Sequence, residues 1–130
     1  MLTRTRTART AVLLYMLTAA CAGSLPPAQV ALVAADAAAE SISNQYTAWF
    51  NEQWDIAEAQ NAQARLDELE RIDTDFLVLM AGYRASYAVA HMAARRGRPE
   101  PGELRESLRK LVAFLVFAGV PIPEEVASWQ

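Results

Sequence analysis

The sequence predicts an all-α protein, an antiparallel bundle of about three helices followed by a short C-terminal helical turn. No Gly or Pro occurs between Pro27 and Gly82, and strong helix formers (Ala, Gln and Glu) dominate this interval. Apolar residues recur there at spacings of three and four, which is the period of a helix. The one apolar run that could pass for a strand, Leu111 to Val120, is flanked by helix formers and contains the helix-ending Gly119.

The first element is an export segment. Three arginines lie in an acid-free start, and an unbroken apolar run from Ala11 to Leu17 is followed by small residues. A basic start, a short apolar middle and a small-residue cleavage zone are typical of a secretory signal. The apolar run is too short for a bilayer, which needs about 20 residues. We therefore predict a cleavable signal peptide over residues 1–20.

The rest of the chain divides into a spacer and one domain. We predict a spacer at residues 21–29, which contains Ser24, Pro26 and Pro27, and a single helical domain at 30–130. The 130 residues of the chain, less the signal, leave room for one small domain and no second one.

The first helix follows the spacer. Ile42, Tyr46 and Trp49 form a stripe at helical spacing, but its continuation turns polar and a new stripe starts out of phase at Leu66. This slip predicts a turn or a stutter between Gln60 and Leu66. Because large apolar residues are few from Gln53 to Ala64, we expect the first helix to protrude or to pair with another copy.

The second helix carries a regular seam. Apolar residues from Phe76 to Ala94 follow a 4-3-4-3-4 spacing, as in a coiled coil. A second candidate break lies at Asp73–Asp75, where Thr74 could cap a new helix. His91 lies beside the seam, and we expect a partly buried structural histidine.

A turn at residues 97–102, rich in Gly and Pro, leads to the third helix at 103–118. Its apolar face should pack against the Tyr83 and Tyr87 part of the seam in the most buried contact of the domain; the face comprises Leu104, Leu108, Leu111, Val112, Leu115 and Val116. Gly119 is the expected C-terminal cap, and Pro123 followed by two glutamates predicts a last helical turn.

Charge is segregated along the chain. Ten acids and two bases lie between Asp36 and Asp75, whereas seven bases and three acids lie between Arg84 and Lys110. Two interpretations stay open: the halves pair, within the chain or head to tail between chains, or they are solvated helix faces. A net acidic exported domain is a poor partner for nucleic acid.

The end of the export segment has a recognisable pattern. Leu17-Thr18-Ala19-Ala20-Cys21 resembles the lipobox of bacterial lipoproteins. The resemblance implies cleavage after Ala20 and a lipid on Cys21, and Ala22 in place of Asp implies the outer membrane, facing the periplasm. Ordinary cleavage after Ala22, giving a soluble periplasmic or secreted protein, is the alternative. A transit peptide is disfavoured because the apolar run is continuous, and a lone cysteine forms no internal disulfide.

Few side chains point to binding or chemistry. Trp54 lies partly off the Trp49 stripe, which favours contact with a partner. Tyr83, Arg84, Arg95 and Arg96 form a basic, aromatic end of the second helix, suited to an acidic partner or phosphate headgroups, although cations also stabilise a helix C-terminus. We find no nucleophile–base pair and no metal-ligand set, and predict a non-enzyme without metal or cofactor.

These observations together predict an exported, lipid-anchored helical envelope protein that acts as a structural or interaction module, with a protein partner or as a homo-oligomer. A small inhibitor or immunity-type protein is one alternative. A lysis factor is another, because a lipid-linked start plus the apolar run from Leu111 to Ile122 is similar in layout to the spanins of phage. The mature part also loosely resembles small Ala-rich helical lipoproteins of phage and bacteria.

Overall fold

The computed structural model describes residues 27–99 and 102–129, and these are 87% helical without a strand. Its elements are α1 (Pro27–Ala59), α2 (Gln63–Arg95), α3 (Glu103–Ala118) and a C-terminal 3-10 helix, η1 (Glu124–Trp129). The helices pack against one another, which confirms the predicted bundle of three helices and a final turn. The predicted signal peptide and Cys21 lie outside the described residues.

Helix α1 begins at Pro27, three residues before the predicted boundary at residue 30. Proline suits the first helical position, because its φ is already helical and the missing N–H has no acceptor there in any case. Residues 27–29, the last three of the predicted spacer, lie within α1.

The turn between α1 and α2 is where the apolar stripe loses phase. Asn61 has a φ of +51°, in the left-handed region that Asn tolerates better than most residues. The backbone N–H of Ala62 then donates to the carbonyl of Ala57 over 2.9 Å and closes α1. Ala57 is buried, so the end of α1 packs on its own bundle rather than protruding.

Helix α2 runs without a break through Asp73–Asp75, so the predicted cap at Thr74 is wrong. The Thr74 hydroxyl donates to the carbonyl of Glu70 over 3.0 Å, one turn earlier in the same helix. This bond satisfies the hydroxyl inside a continuous helix. Phe76, one turn after Ile72 in the same helix, is buried in the core.

The leucine side chains of helix α3 pack in the core. Leu108, Leu111 and Leu115 are fully buried, as predicted, whereas Val116 is 59% exposed. Gly119 ends the helix with a φ of +79°, which confirms the predicted cap. None of the described helices has a stretch long and apolar enough to cross a membrane.

An aromatic contact fixes α1 on α2. The ring of Tyr46 stacks on Phe76 with centroids 3.7 Å apart and planes 16° from parallel. The Tyr46 hydroxyl donates to the Asp73 carboxylate over 3.0 Å. Burial, with this hydrogen bond and the Asp73 charge, raises the pKa of Tyr46 well above its usual value. The stack sets the register of the two antiparallel helices.

The 3-10 helix η1 completes the core. Val126 is fully buried, and Arg105 of α3 lies 5.9 Å from the ring centre of Trp129, within cation–π range. Ser41 of α1 donates to Glu125 over 3.4 Å. η1 therefore bridges α1 and α3.

Candidate functional site

A groove runs along the line where α1 and α2 meet, and we call it the α1/α2 groove. It holds two depressions, on either side of the Tyr46–Phe76 stack. The first has a volume of about 410 Å³ and is lined by Asp36, Ala39, Glu40, Ser43, Asn44, Met80, Tyr83, Arg84 and Tyr87. The second has a volume of about 580 Å³ and is lined by Phe50, Asn51, Trp54, Glu70, Asp73 and Thr74.

Tyr83 sets the chemistry of the first depression. Its side chain is buried, and its hydroxyl has no hydrogen-bond partner among the described residues. Burial, and secondly the charge of Asp36, raise the pKa of Tyr83 to about 12, so the hydroxyl stays protonated at neutral pH. A buried hydroxyl without a partner costs about 1–3 kcal/mol. A polar group that reached it would recover part of that cost.

Trp54 is the aromatic side chain at the outer end of the second depression. It is half-buried, and its ring lies 5.8 Å from that of Phe50 between centroids. Phe50 in turn lies 5.9 Å from Tyr46, so the indole is the outermost member of an aromatic chain that reaches the core. Part of the indole faces the groove, as expected for a residue off the apolar stripe.

Acidic groups outnumber basic ones along the groove. Asp36 and Glu40 line one depression, Glu70 and Asp73 line the other, and Arg84 is the one basic side chain in the two linings. Both depressions also expose aromatic surface. The arrangement suits a cationic segment that carries apolar or aromatic side chains, because rim charges steer the approach while buried contacts hold the segment.

The structure brings together only some of the residues singled out in the sequence. Tyr83 and Arg84 line the first depression and Trp54 lines the second. Arg95 and Arg96 lie outside both, exposed at the C-terminal end of α2. Their backbone position matches the role of cations that stabilise a helix C-terminus.

His91 is exposed, so the prediction of a partly buried histidine is wrong. Its ring stacks on that of Tyr87, with centroids 6.3 Å apart and planes 19° from parallel. Tyr87 lies 6.1 Å from Tyr83. The three rings form a ladder that runs from the buried hydroxyl out to solvent.

Asp36 and Glu40 are groove residues that sequence reasoning missed. The sequence contains information that could have identified them, because they lie four residues apart on one face of α1. If the chain reverses direction at Asn61, residues of α1 and α2 whose numbers sum to about 122 lie opposite each other, as Tyr46 and Phe76 do. That register sets residue 39 opposite Tyr83. It follows only if the phase slip is a turn rather than a stutter.

A third depression, of about 640 Å³, lies between α2 and α3. It is lined by Val78, Leu79, Gly82, Ser86, Gly102, Glu103, Glu106, Ser107 and Lys110. The Ser107 hydroxyl already donates to the carbonyl of Leu104 over 2.8 Å. Within residues 27–99 and 102–129, no three His, Cys, Asp or Glu side chains are grouped to hold a metal ion.

Comparison with known proteins gives no relative of significant similarity: no family model matches the chain, and neither a curated protein nor a solved structure does.

Proposed function

We propose that this chain is an exported, lipid-anchored module of the bacterial envelope that binds a protein partner in its α1/α2 groove and catalyses no reaction. The observation that carries the binding proposal is the groove itself, with an acidic rim, exposed aromatic surface and a buried Tyr83 hydroxyl that lacks a partner among the described residues. The export pattern and Cys21 support the location.

The anchor and the groove are compatible in length. Five residues lie between Cys21 and the start of α1 at Pro27, and the six Cα-to-Cα steps reach at most about 20 Å. Asp36 lies nine residues into α1, about 14 Å further along the helix. A lipid on Cys21 would thus hold the first depression within about 35 Å of a membrane surface. A partner at that height is an envelope protein.

The anchor is tested by the intact mass of the mature protein, wild type against Cys21→Ser. We expect a diacyl- or triacyl-sized increment in the wild type that the variant lacks, together with release of the variant from membranes. A wild-type protein whose first residue is Gly23, with no added mass, would refute the anchor.

Binding is tested by photo-crosslinking in cells that express the full chain. A photoreactive phenylalanine analogue replaces Asn44 in one depression or Asn51 in the other; the control replaces Ala113, which is exposed on α3. We expect both groove positions to capture the same protein and Ala113 to capture none of it. Glu40→Lys should weaken the capture at Asn51, because it removes one rim charge without touching that position. Equal capture at all three positions would exclude the groove.

A small inhibitor of an envelope enzyme is the second candidate, and the acidic rim favours it because such a rim complements a basic active-site surface. The identity and activity of the crosslinked partner distinguish an inhibitor from an interaction module. Inhibition predicts one enzyme, captured one to one and inactive in the complex, whereas an interaction module leaves its partner's activity unchanged.

A further inference from the structure

Helix α2 carries a second seam, on its exposed side. We call it the outer seam, and its residues follow a 4-3-4-3-4-3-4-3 spacing: Asp67, Arg71, Thr74, Val78, Ala81, Ala85, Ala88, Met92 and Arg95. Every one of them is exposed. The flanking Leu77 and Val89 are also exposed, at 60% and 48%. The seam members from Val78 to Met92, together with these two side chains, form an exposed apolar surface, and such a surface normally marks a contact with another molecule.

The charges at the ends of the outer seam identify its partner. Asp67 and Arg95 each lie fourteen residues from Ala81, and Thr74 and Ala88 each lie seven residues from it. A second copy of α2, antiparallel and crossing at Ala81, would set Asp67 opposite Arg95 at both ends and Thr74 opposite Ala88. A parallel pair would set each of these charges against its like. We propose that the chain forms an antiparallel homodimer through the outer seam of α2.

The bonds within one chain leave these charges for a partner. Among the described residues the only ion pair joins Arg65 and Glu68, both within the acidic part of α2. The Asp67 carboxylate accepts a hydrogen bond from Gln63 over 2.8 Å but pairs with no cation in the part of the chain that the structure describes. In the dimer, the acidic part of α2 in one copy thus faces the basic part of α2 in the other copy, in a two-fold symmetric contact.

The side chains near the crossing point allow close approach. Ala81, Ala85 and Ala88 are small, and an alanine-lined seam lets two helices pack near the short end of the usual 8–10 Å interaxial range. Val78 lies beside Ala85 of the other copy in this register, so a larger side chain meets a smaller one on each side of the axis. The repeat of seven residues also keeps the seam facing the partner over its whole length.

The dimer is tested by sedimentation equilibrium of protein purified from cells expressing the full chain, with Cys21→Ser in every variant to exclude association through a lipid. We expect a monomer–dimer equilibrium. Asp67→Arg and Arg95→Asp should each weaken it about tenfold, because each change turns two attractive pairs into repulsive ones. The variant that combines both changes should restore the dimer, since the two charges are then exchanged and each again faces its opposite in the other copy.

Matched control variants locate the contact on the outer seam. Ala85→Glu should abolish the dimer, whereas Val33→Glu, at a 61% exposed position on α1, should leave it intact. Ala81→Cys should form an intermolecular disulfide on mild oxidation and Ala48→Cys, exposed on α1, should not. A monomeric wild type, a double variant as weak as the single ones, or a dimer that survives Ala85→Glu would each overturn the proposal. The dimer requires neither the anchor nor the α1/α2 groove.

Discussion

Tyr46 and Tyr83 are both buried tyrosines, but Tyr46→Phe should lower the stability of the fold whereas Tyr83→Phe should leave it unchanged or raise it. Tyr46→Phe keeps the ring that stacks on Phe76 but removes the hydroxyl that donates to Asp73 over 3.0 Å. A hydrogen bond to a charged group contributes about 1.5–3 kcal/mol. Asp73 is half-buried, so water competes for it and the lower figure applies. We expect a loss of about 1.5 kcal/mol.

The assay is urea unfolding followed by tryptophan fluorescence, since Trp49 and Trp54 lie close to Tyr46 along α1. The midpoint should fall at an unchanged slope, which would show that the variant exposes the same surface on unfolding. The melting temperature of a domain of about 100 residues should fall by roughly 6–12 °C. In combination with Asp73→Asn, the effects of the two changes should be less than additive, because both remove one bond.

Tyr83→Phe is the matched control. Its hydroxyl has no partner among the described residues, so removing it should leave stability unchanged or raise it by up to about 1 kcal/mol. The reasoning would be refuted if Tyr46→Phe were as stable as the wild type, or if Tyr83→Phe were destabilised as much as Tyr46→Phe. The latter result would mean that the Tyr83 hydroxyl has a partner in the free protein.

Three further predictions use the same unfolding assay. The pKa of Tyr83 is raised from 10.0 to about 12, so folding favours the neutral hydroxyl. The stability that depends on this hydroxyl is present below pH 10 and is lost as the pH rises toward 12. Tyr83→Phe should therefore lose less stability than the wild type between pH 10 and 12. Gly119→Ala should cost about 1 kcal/mol, since its φ is +79°, whereas Gly82→Ala, in the open helical interior of α2, should gain about as much. Leu108→Ala should cost about 3 kcal/mol, and Phe117→Ala, at an 89% exposed position, less than about 0.5 kcal/mol.

The helices could be predicted because they depend on local patterns. The phase slip between Gln60 and Leu66 predicted a turn or a stutter, and the structure has a turn at Asn61. The predicted cap at Thr74 was wrong for a related reason. A capping hydroxyl accepts a hydrogen bond from a backbone N–H, whereas a hydroxyl inside a helix donates to the carbonyl one turn earlier, and the sequence alone does not say which of these occurs. In the structure Thr74 donates to Glu70 within the continuous helix α2.

The site depends on what lies opposite each residue, which is why less of it could be predicted. His91 adjoins the seam, but the register set by Tyr46 and Phe76 places Ala31 opposite it, and that side chain is too short to cover an imidazole. The same register places Ala39 opposite Tyr83, so the side chain directly opposite offers no acceptor, and none of the described residues accepts a hydrogen bond from the hydroxyl. Neither the exposure of His91 nor the unpartnered hydroxyl of Tyr83 could be predicted from the residue itself or from its neighbours in the sequence.

The antiparallel arrangement of α1 and α2 gives the molecule an electric polarity along its long axis. Pro27 and Arg95 lie at one end, and the turn at Asn61 lies at the other, about 50 Å away. Eight carboxylates and only two arginines occupy the stretch from Glu52 to Asp75 at the turn end. A negatively charged surface repels the acidic turn end, which then points away from that surface. A tether at the N-terminal end would impose the same direction on a single copy. In the antiparallel dimer the acidic ends of the two copies point in opposite directions, so this polarity belongs to the monomer.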